Sequence, residues 1–422
     1  MQDKFSIATL GPALFDSNVE TTTFVENGDR VLVDATLATC MGCDRNPPSL
    51  EKAGPRRKSF FDPAAVRAAV VTCGGLCPGL NDVIRALVMV LWYRYGVRSI
   101  VGLRYGYEGL VASFGHLPLE LNPDVVADIH RHGGTILGTS RGGQDPKEMV
   151  EYLVRNGINI LFTVGGDGTQ RGALVVAREI ERRGLPISVI GIPKTIDNDI
   201  TFTERSFGFE TAVEESQSAI DGAHMEAKGV RNGVGLVKLM GREAGFVAAY
   251  ATLASSDVNL VLIPEAPFSV ARVMSFLEER LRRKAHAVVV VAEGAGQELV
   301  VTSGADASGN KALGDIGLYL KAEITGHFKR AGMPVAVKYI DPSYLIRSVA
   351  ANADDSVFCF QLAGNAVHAA MSGRTAMVVG VWNGQFVHIP TELAIGARKN
   401  IDTRGLFWQS VLDNTGQPKD LT

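Results

Sequence analysis

Two apolar runs between residues 158 and 201 each end abruptly in a turn. The first, Ile158 to Val164, stops at Gly165-Gly166-Asp167-Gly168, and Thr169 then opens an amphipathic stretch reaching Arg183. The second, Ile187 to Ile192, stops at Pro193-Lys194-Thr195-Ile196-Asp197-Asn198-Asp199. Apolar run, glycine turn, amphipathic helix and second apolar run make a βαβ unit with parallel strands whose ends sit side by side. Such sheets bind ligands at the carboxyl ends of their strands. The pattern predicts an α/β protein in which both turns face one crevice.

The chemistry of the two turns is complementary. Glycines at 165, 166 and 168 let backbone N–H groups approach a phosphate, and the helix opening near Thr169 adds its positive end. A carboxylate at Asp167 repels phosphate unless a divalent cation lies between them, and magnesium favours one or two carboxylates with phosphate oxygens and water. Asp197 and Asp199, two apart, point to the same side of an extended segment. One can take a proton from an attacking hydroxyl while the other helps hold the metal. Lys194 and Thr195 can neutralise or bond a phosphoryl group in flight. Either turn alone has a plainer explanation, a capped loop or ordinary Asp/Asn turn chemistry. Both together, directly after the strands of one unit, point to phosphoryl transfer.

Composition narrows the alternatives. The chain has 422 residues, 46% apolar and 21% charged, a range typical of a globular protein of two or three domains. A formal net charge of −3 provides no footprint for nucleic acid or an anionic membrane. No stretch approaches the roughly 18 apolar residues of a membrane span, and the start MQDKFSIATLGP lacks the pattern of a signal peptide, so a cytoplasmic location is expected. Five cysteines do not make a disulfide scaffold. Cys40-x2-Cys43 and Cys73-x3-Cys77 have a spacing compatible with zinc. Cys73 and Cys77, however, flank Gly74-Gly75, where small residues suit a phosphate loop, and Cys359 reads as core.

Further strand–turn units surround the central one. A strand over Ala65 to Thr72 ends at Gly74-Gly75-Leu76-Cys77-Pro78-Gly79, with a helix from about Asn81. A strand over Ser99 to Leu103 leads to Tyr105 and Tyr107, candidates to flank a base or to pack in the core. Leu137 to Gly143 reads LGTSRGG, and a helix follows from Pro146 to Asn156. A helical pattern fills Ser206 to Lys228. Val234 to Leu239 closes on Met240-Gly241-Arg242, and Arg242 suits a phosphate through its fork of donors. Ala285 to Ala292 ends at Glu293-Gly294, and Asp341 to Arg347 reads DPSYLIR. Residues 1–58 give only short β-like runs, Thr21 to Val25 and Val31 to Val33, and the tail DNTGQPKDLT reads as frayed.

GGDGT, PKTIDNDI and MGREAGF together resemble the phosphofructokinase family, and GGLCPGLNDVIR and YIDPSYLIR are similar to its longer plant and trypanosomal ATP-type branch. The resemblance covers roughly Phe60 to Gly380. It implies two doubly wound, Rossmann-like lobes with the active site in the cleft between them. Residues 1–64 would be an N-terminal extension, 65–205 (completed by about 350–422) a lobe for donor and Mg2+, and 206–349 a lobe for fructose 6-phosphate. Gly75, Arg141, Gly142, Gly166, Asp167, Gly168 and Thr169 would meet the donor, and Asp167 and Asp199 the metal. Thr195, Ile196, Asp197, Met240, Gly241, Arg242, Glu293, Lys338, Tyr344 and Arg347 would meet the sugar phosphate. Asp197 would be the base, assisted by Thr195, Arg141 and Lys194.

The chain departs from the family's bacterial members at three places. Leu76 stands for an acidic residue, Gly233 for an arginine reaching in from a neighbouring subunit, and Tyr344 for a histidine whose phosphate contact a tyrosine O–H can still make. Glu265 aligns with a regulatory position. The resemblance also bears on the donor. Pyrophosphate users generally carry an aspartate at Gly168, which would exclude a nucleotide's α-phosphate. Lys194 is typical of those users, yet the long ATP branch combines glycine with this lysine, so ATP is expected and pyrophosphate is the alternative. NAD and lipid kinases share GGDGT but explain neither PKTIDND nor MGR, and there is no GxxxxGK[ST]. A non-catalytic sugar-phosphate sensor would lose Asp167, Asp197 and Asp199, which are all present. A homo-oligomer, dimer or tetramer, under allosteric control is expected from the family.

Overall fold

Runs of Val, Ile, Leu and Ala buried on both faces are the mark of a parallel sheet covered by helices. The computed structural model describes residues 4–37, 47–301, 304 and 312–422. In it five such runs pair in parallel: Arg67–Thr72, Ser99–Leu103, Ile160–Gly165, Ser188–Pro193 and Met377–Trp382. Numbered along the chain, their order across the sheet is 2-1-3-4-5. Order reverses between Arg67–Thr72 and Ile160–Gly165, and that is the topological switch point of a doubly wound sheet. The helices Pro146–Arg155 and Asp167–Arg182 pack on one face through Met149, Leu153, Ala173, Val176 and Ile180. The helices Leu80–Val90 and Ala353–Met371 pack on each other.

The first residues join this sheet. Arg30–Leu32 and Ser49–Lys52 add antiparallel strands beyond Gln385–Pro390, and Ala8–Thr9 pairs with Arg374–Thr375. The β-like run expected at Thr21 to Val25 forms no strand. By contact the chain divides into two compact units. The first is Met1–Thr195, Ile200–Gly208 and Val349–Ala397; the second is Ile196–Asp199, Phe209–Ser348 and Arg398–Thr422.

The second unit has its own parallel sheet, in the order Leu260–Leu262, His286–Ala292, Gly233–Leu239, Ala336–Ile340. The helix Phe209–Lys228 covers one face of it, and Val270–Lys284 with Ile316–Arg330 the other. The last residues belong here. Trp408, Val411 and Leu412 of the helix Leu406–Thr415 enter the core, Gln417 bonds the backbone N–H and C=O of Val261, and Leu421 is buried. The tail that read as frayed is therefore docked, because an amide that pairs with both groups of an edge strand satisfies itself as a further strand would. Cys73, Cys77 and Cys359 are free buried thiols; Cys40 and Cys43 lie outside the described residues. Among the described residues no helix is long and apolar enough to cross a membrane.

One buried ionic cluster ties the N-terminal strands to the first unit. Glu51 Oε1 accepts bonds from Arg56 (3.1 Å), Arg374 (3.1 Å) and His388 Nδ1 (2.8 Å). Burial alone would raise the Glu51 pKa, but His388 and Arg374 outweigh it and pull the carboxyl down to about 2. Burial holds His388 below its ordinary value, and its Nε2 has no hydrogen-bond partner. A neutral ring donating through Nδ1 fits both facts, so the charge balance falls to the arginines. Because the folded value lies below the unfolded one near 4.5, Glu51's contribution is complete above that pH and is lost as the pH falls towards 2. The shift corresponds to about 3 kcal/mol. Glu51→Gln leaves two buried guanidinium groups short of counter-charge and is expected to cost about 3–5 kcal/mol at pH 7. Urea denaturation should show that gap closing between pH 5 and pH 2; equal stability at pH 7 would refute it.

Candidate active site

At the switch point of the first unit, two strands end together. Thr72 is level with Val164, and Cys73 donates its backbone N–H to the Val164 carbonyl (2.9 Å). The turns that follow, Gly74 to Gly79 and Gly165 to Gly168, therefore start side by side. The loop holding Arg141 is tied to the same place: Gly74 N–H donates to the Ser140 carbonyl (3.0 Å) and the Thr139 hydroxyl to the Gly74 carbonyl (2.6 Å). A Cβ built on Gly75 would lie 3.8 Å from Arg141 Nη2. Lys194 links the second strand pair to the first, its N–H bonding the Gly165 carbonyl and its buried ammonium the Gly75 carbonyl (2.7 Å). The structure thus gathers Gly75, Arg141, Gly166, Asp167, Gly168, Thr169 and Lys194 in one unit, with exposed Gly142 beside Arg141.

Asp167 is the first residue of its helix, and its carboxylate pairs with Arg171 one turn on (3.0 Å), whose Nη2 also bonds the Ile395 carbonyl. Gly168 is exposed, and a Cβ placed there meets nothing within 4 Å. Buried Gln170 holds both strand ends, donating to the carbonyls of Gly165 (2.9 Å) and Ile192 (3.3 Å). Sequence reading passed over Arg171 and Gln170; their signal was their place directly after GGDGT.

In the second unit, the segment Ile196–Asp199 lies against the turn after Gly233–Leu239. Asp197 Oδ2 accepts the backbone N–H of Arg242 (3.1 Å). Glu293 enters from the next strand, its N–H bonded to the Leu239 carbonyl (2.9 Å). A Cβ on Gly294 would fall 1.8 Å from the Arg242 carbonyl, so only glycine lets these two turns close on each other. Burial, then the charges of Asp199 and Glu293, push the Asp197 carboxyl up to about 8 against the Arg242 N–H. Burial first, and Asp341 too, raise Glu293 against the pull of Lys238, Arg242 and Arg347. Ile196 and Met240 pack in the core beneath.

The structure adds cations that sequence reading did not assign. Arg398 pairs with Asp199 Oδ2 (3.3 Å), and the Lys399 N–H bonds the Asp199 carbonyl (2.8 Å). Residues 398–422, read as part of the first lobe, lie in the second unit and bring these groups along. Glu265 accepts the N–H groups of Gly245 (3.0 Å) and Ile401 (2.9 Å), holding the MGREAG turn to this segment. Tyr344 and Arg347 stack on each other (4.3 Å) on the turn after Ala336–Ile340. Lys338 is not gathered with them: it pairs with Glu226 (3.2 Å) on the helix Phe209–Lys228, across the sheet from Tyr339. Thr195 accepts the Ser206 hydroxyl through its carbonyl. Tyr107 is core and bonds the Thr169 carbonyl, whereas Tyr105 lies at the surface against His116.

Among the described residues no cluster of three metal-ligating side chains occurs. Magnesium does not need one, since one or two carboxylates with water and phosphate oxygens suffice. Burial first, and then the neighbouring carboxylates of Asp199 and Glu293, raise Asp197; such a group of carboxylates fits a hydrated divalent ion.

A model of the family described as Phosphofructokinase matches residues 67–370. A protein of Borreliella burgdorferi called ATP-dependent 6-phosphofructokinase is 53% identical, covering 87% of this chain and 85% of its own. ATP-dependent 6-phosphofructokinase of Trypanosoma brucei brucei is 48% identical over 88% of this chain and 77% of its own. ATP-dependent 6-phosphofructokinase 7 of Arabidopsis thaliana is 50% identical, with the same two coverages. Among solved structures, a pyrophosphate-dependent phosphofructokinase from Marinobacter aquaeolei superposes with a TM-score of 0.69 at 19% identity, covering 84% of this chain and 93% of that one. At that identity the likeness speaks for the fold alone.

The Lys194–Gly75 bond generates a direct test. Lys194→Met keeps most of the length of the side chain and removes the bond, so the backbone amides of residues 74–77 and 79 should exchange with deuterium at least several-fold faster. Unchanged exchange would show that the bond does not hold the turn.

Proposed function

The chain belongs to the phosphofructokinase family, and from that premise we infer a kinase that transfers the terminal phosphoryl group of ATP to the 1-hydroxyl of D-fructose 6-phosphate. The products are fructose 1,6-bisphosphate and ADP, a step of glycolysis. The ATP-dependent names among relatives of about half identity support ATP over pyrophosphate, as does the open space at Gly168.

The observation that carries the mechanism is the bond from Arg242 N–H to Asp197 Oδ2, which sets a carboxyl pushed up to about 8 against the MGR turn. In this reading Asp197 takes the proton of the sugar 1-hydroxyl as that oxygen attacks the γ-phosphorus, and the bond to the ADP oxygen breaks. A base with a raised pKa is the better acceptor near neutral pH. Glu293 bonds a sugar hydroxyl, Arg242 and Arg347 with Tyr344 hold the 6-phosphate, and Met240, Gly241, Thr195 and Ile196 shape the rest. Gly75, Gly142, Gly166, Gly168 and Thr169 cradle the donor. Arg141, Lys194 and Thr195 offset charge on the group in transfer, since such reactions rest on positioning and electrostatics. Asp167 and Asp199 would hold Mg2+, which when bound screens the phosphate charge. Lys338, paired with Glu226, contributes at most remote charge. A homo-oligomer is implied by the family, and the free thiols suit a reducing compartment such as the cytoplasm.

Two variants test this. Asp197→Asn should lower kcat roughly 10²- to 10⁴-fold with fructose 6-phosphate affinity changed only a few-fold; wild-type turnover would remove Asp197 as base. Gly168→Asp should fold with an unchanged melting temperature, because its Cβ meets nothing, yet lose about 100-fold in kcat/KM for ATP, the size of a few lost phosphate contacts. Undiminished ATP use would overturn the assignment of donor choice to this position.

A further inference from the structure

Lys238 lies one residue before the end of Gly233–Leu239, the strand that runs into Met240-Gly241-Arg242. It is largely buried, an expensive place for an ammonium without partners. Two carboxylates meet it: Asp315 Oδ2 at 3.0 Å and Asp341 Oδ2 at 2.9 Å. Each has a second task. Asp315 Oδ1 caps the helix Ile316–Arg330 through the Leu318 N–H (3.0 Å) and accepts the Tyr339 hydroxyl (2.9 Å). Asp341 Oδ1 accepts the Ser343 hydroxyl (2.6 Å) and N–H (3.2 Å), which opens the short helix Ser343–Ile346 with Tyr344 on it and Arg347 at its end.

Strand register explains why this lysine can reach. Gly233–Leu239 pairs in parallel with Ala336–Ile340, Val237 level with Ile340. Lys238 is therefore level with Asp341, on the neighbouring strand's exit. We propose that Lys238 is a positioning residue for the sugar phosphate: by bonding Asp341 it fixes the turn bearing Tyr344 and Arg347 relative to Met240-Gly241-Arg242 on its own strand. The inference rests on the phosphofructokinase reading above, and deepens it. Removing the ammonium leaves Asp341, Asp315 and Glu293 as neighbouring carboxylates with less positive charge among them. Their repulsion then moves the turn bearing the exposed Tyr344 away from Glu293.

The test compares Lys238→Met, Lys238→Arg and Asp315→Asn with wild type, by steady-state kinetics and by calorimetric binding of fructose 6-phosphate to the whole chain. Lys238→Met should raise KM and Kd for fructose 6-phosphate at least tenfold, with KM for ATP within twofold and kcat within about threefold. Lys238→Arg, which can still bridge two carboxylates, should recover most of the affinity. Asp315→Asn, which spares the Asp341 bond, should cost less than threefold. An unchanged Kd in Lys238→Met would overturn the proposal. So would a parallel rise in both KM values with a broadened melting transition, which would mark a merely structural role. A wild-type chain that binds fructose 6-phosphate without phosphorylating it would refute the kinase reading but leave the binding comparison decisive. Absence of any sugar-phosphate affinity in wild type would overturn both.

Discussion

Register between parallel strands is the constraint from which the chemistry follows. A single carbonyl, that of Val164, accepts the N–H of Cys73, and the two glycine turns then begin at the same height. Slip that pairing by one residue and every side chain changes face, while Lys194 loses its reach to the Gly75 carbonyl. The second unit repeats the device. Leu239 bonds the N–H of Glu293 and Gly241 that of Gly294, so the MGR turn and the glutamate arrive together. In each unit the sheet brings a pair of turns to the same height, and the loops of Arg141 and Asp197 then bond to them.

Charge is distributed with equal economy. The second unit places Asp197, Asp199 and Glu293 within electrostatic reach of one another, and burial raises the pKa of two of them. Arg398 on Asp199 and the Arg242 N–H on Asp197 offset only part of this. By contrast Glu51, ringed by two arginines and a neutral histidine, is fully compensated, and its role is to hold strands.

Much of this was legible in the chain. Apolar runs ending in turns located Arg67–Thr72, Ser99–Leu103, Ile160–Gly165, Ser188–Pro193, Gly233–Leu239 and His286–Ala292, because fully buried parallel strands leave an uninterrupted signature, whereas the half-buried Ala336–Ile340 did not stand out. The turns GGDG, TIDND and MGR stood out through their residue types taken together, and the structure places GGDG at a strand end and TIDND against MGR. What was hidden depended on partners distant in sequence. Nothing near Arg398 shows that it meets Asp199, and nothing in DNTGQPKDLT shows that Gln417 completes an edge strand. Lys338 looked like a phosphate ligand because it precedes DPSYLIR, yet alternation along its strand turns it towards Glu226. The N-terminal strands were obscure because they are short and carry charged residues, and nothing local shows that Glu51 and Arg56 join a buried network.

The way the chain is shared between its units has a consequence for synthesis. The first unit's sheet is incomplete until Met377–Trp382 pairs with Ser188–Pro193, and the second waits for Arg398–Thr422. Neither unit can finish folding before these late segments have been added. From the completion of Ser188–Pro193 until Met377–Trp382 has been added, the nascent chain therefore exposes an open edge at a strand that is buried and apolar in the folded structure. Premature termination between residues 193 and 377 would release a chain with that edge unpaired, prone to pairing with other chains rather than to partial function.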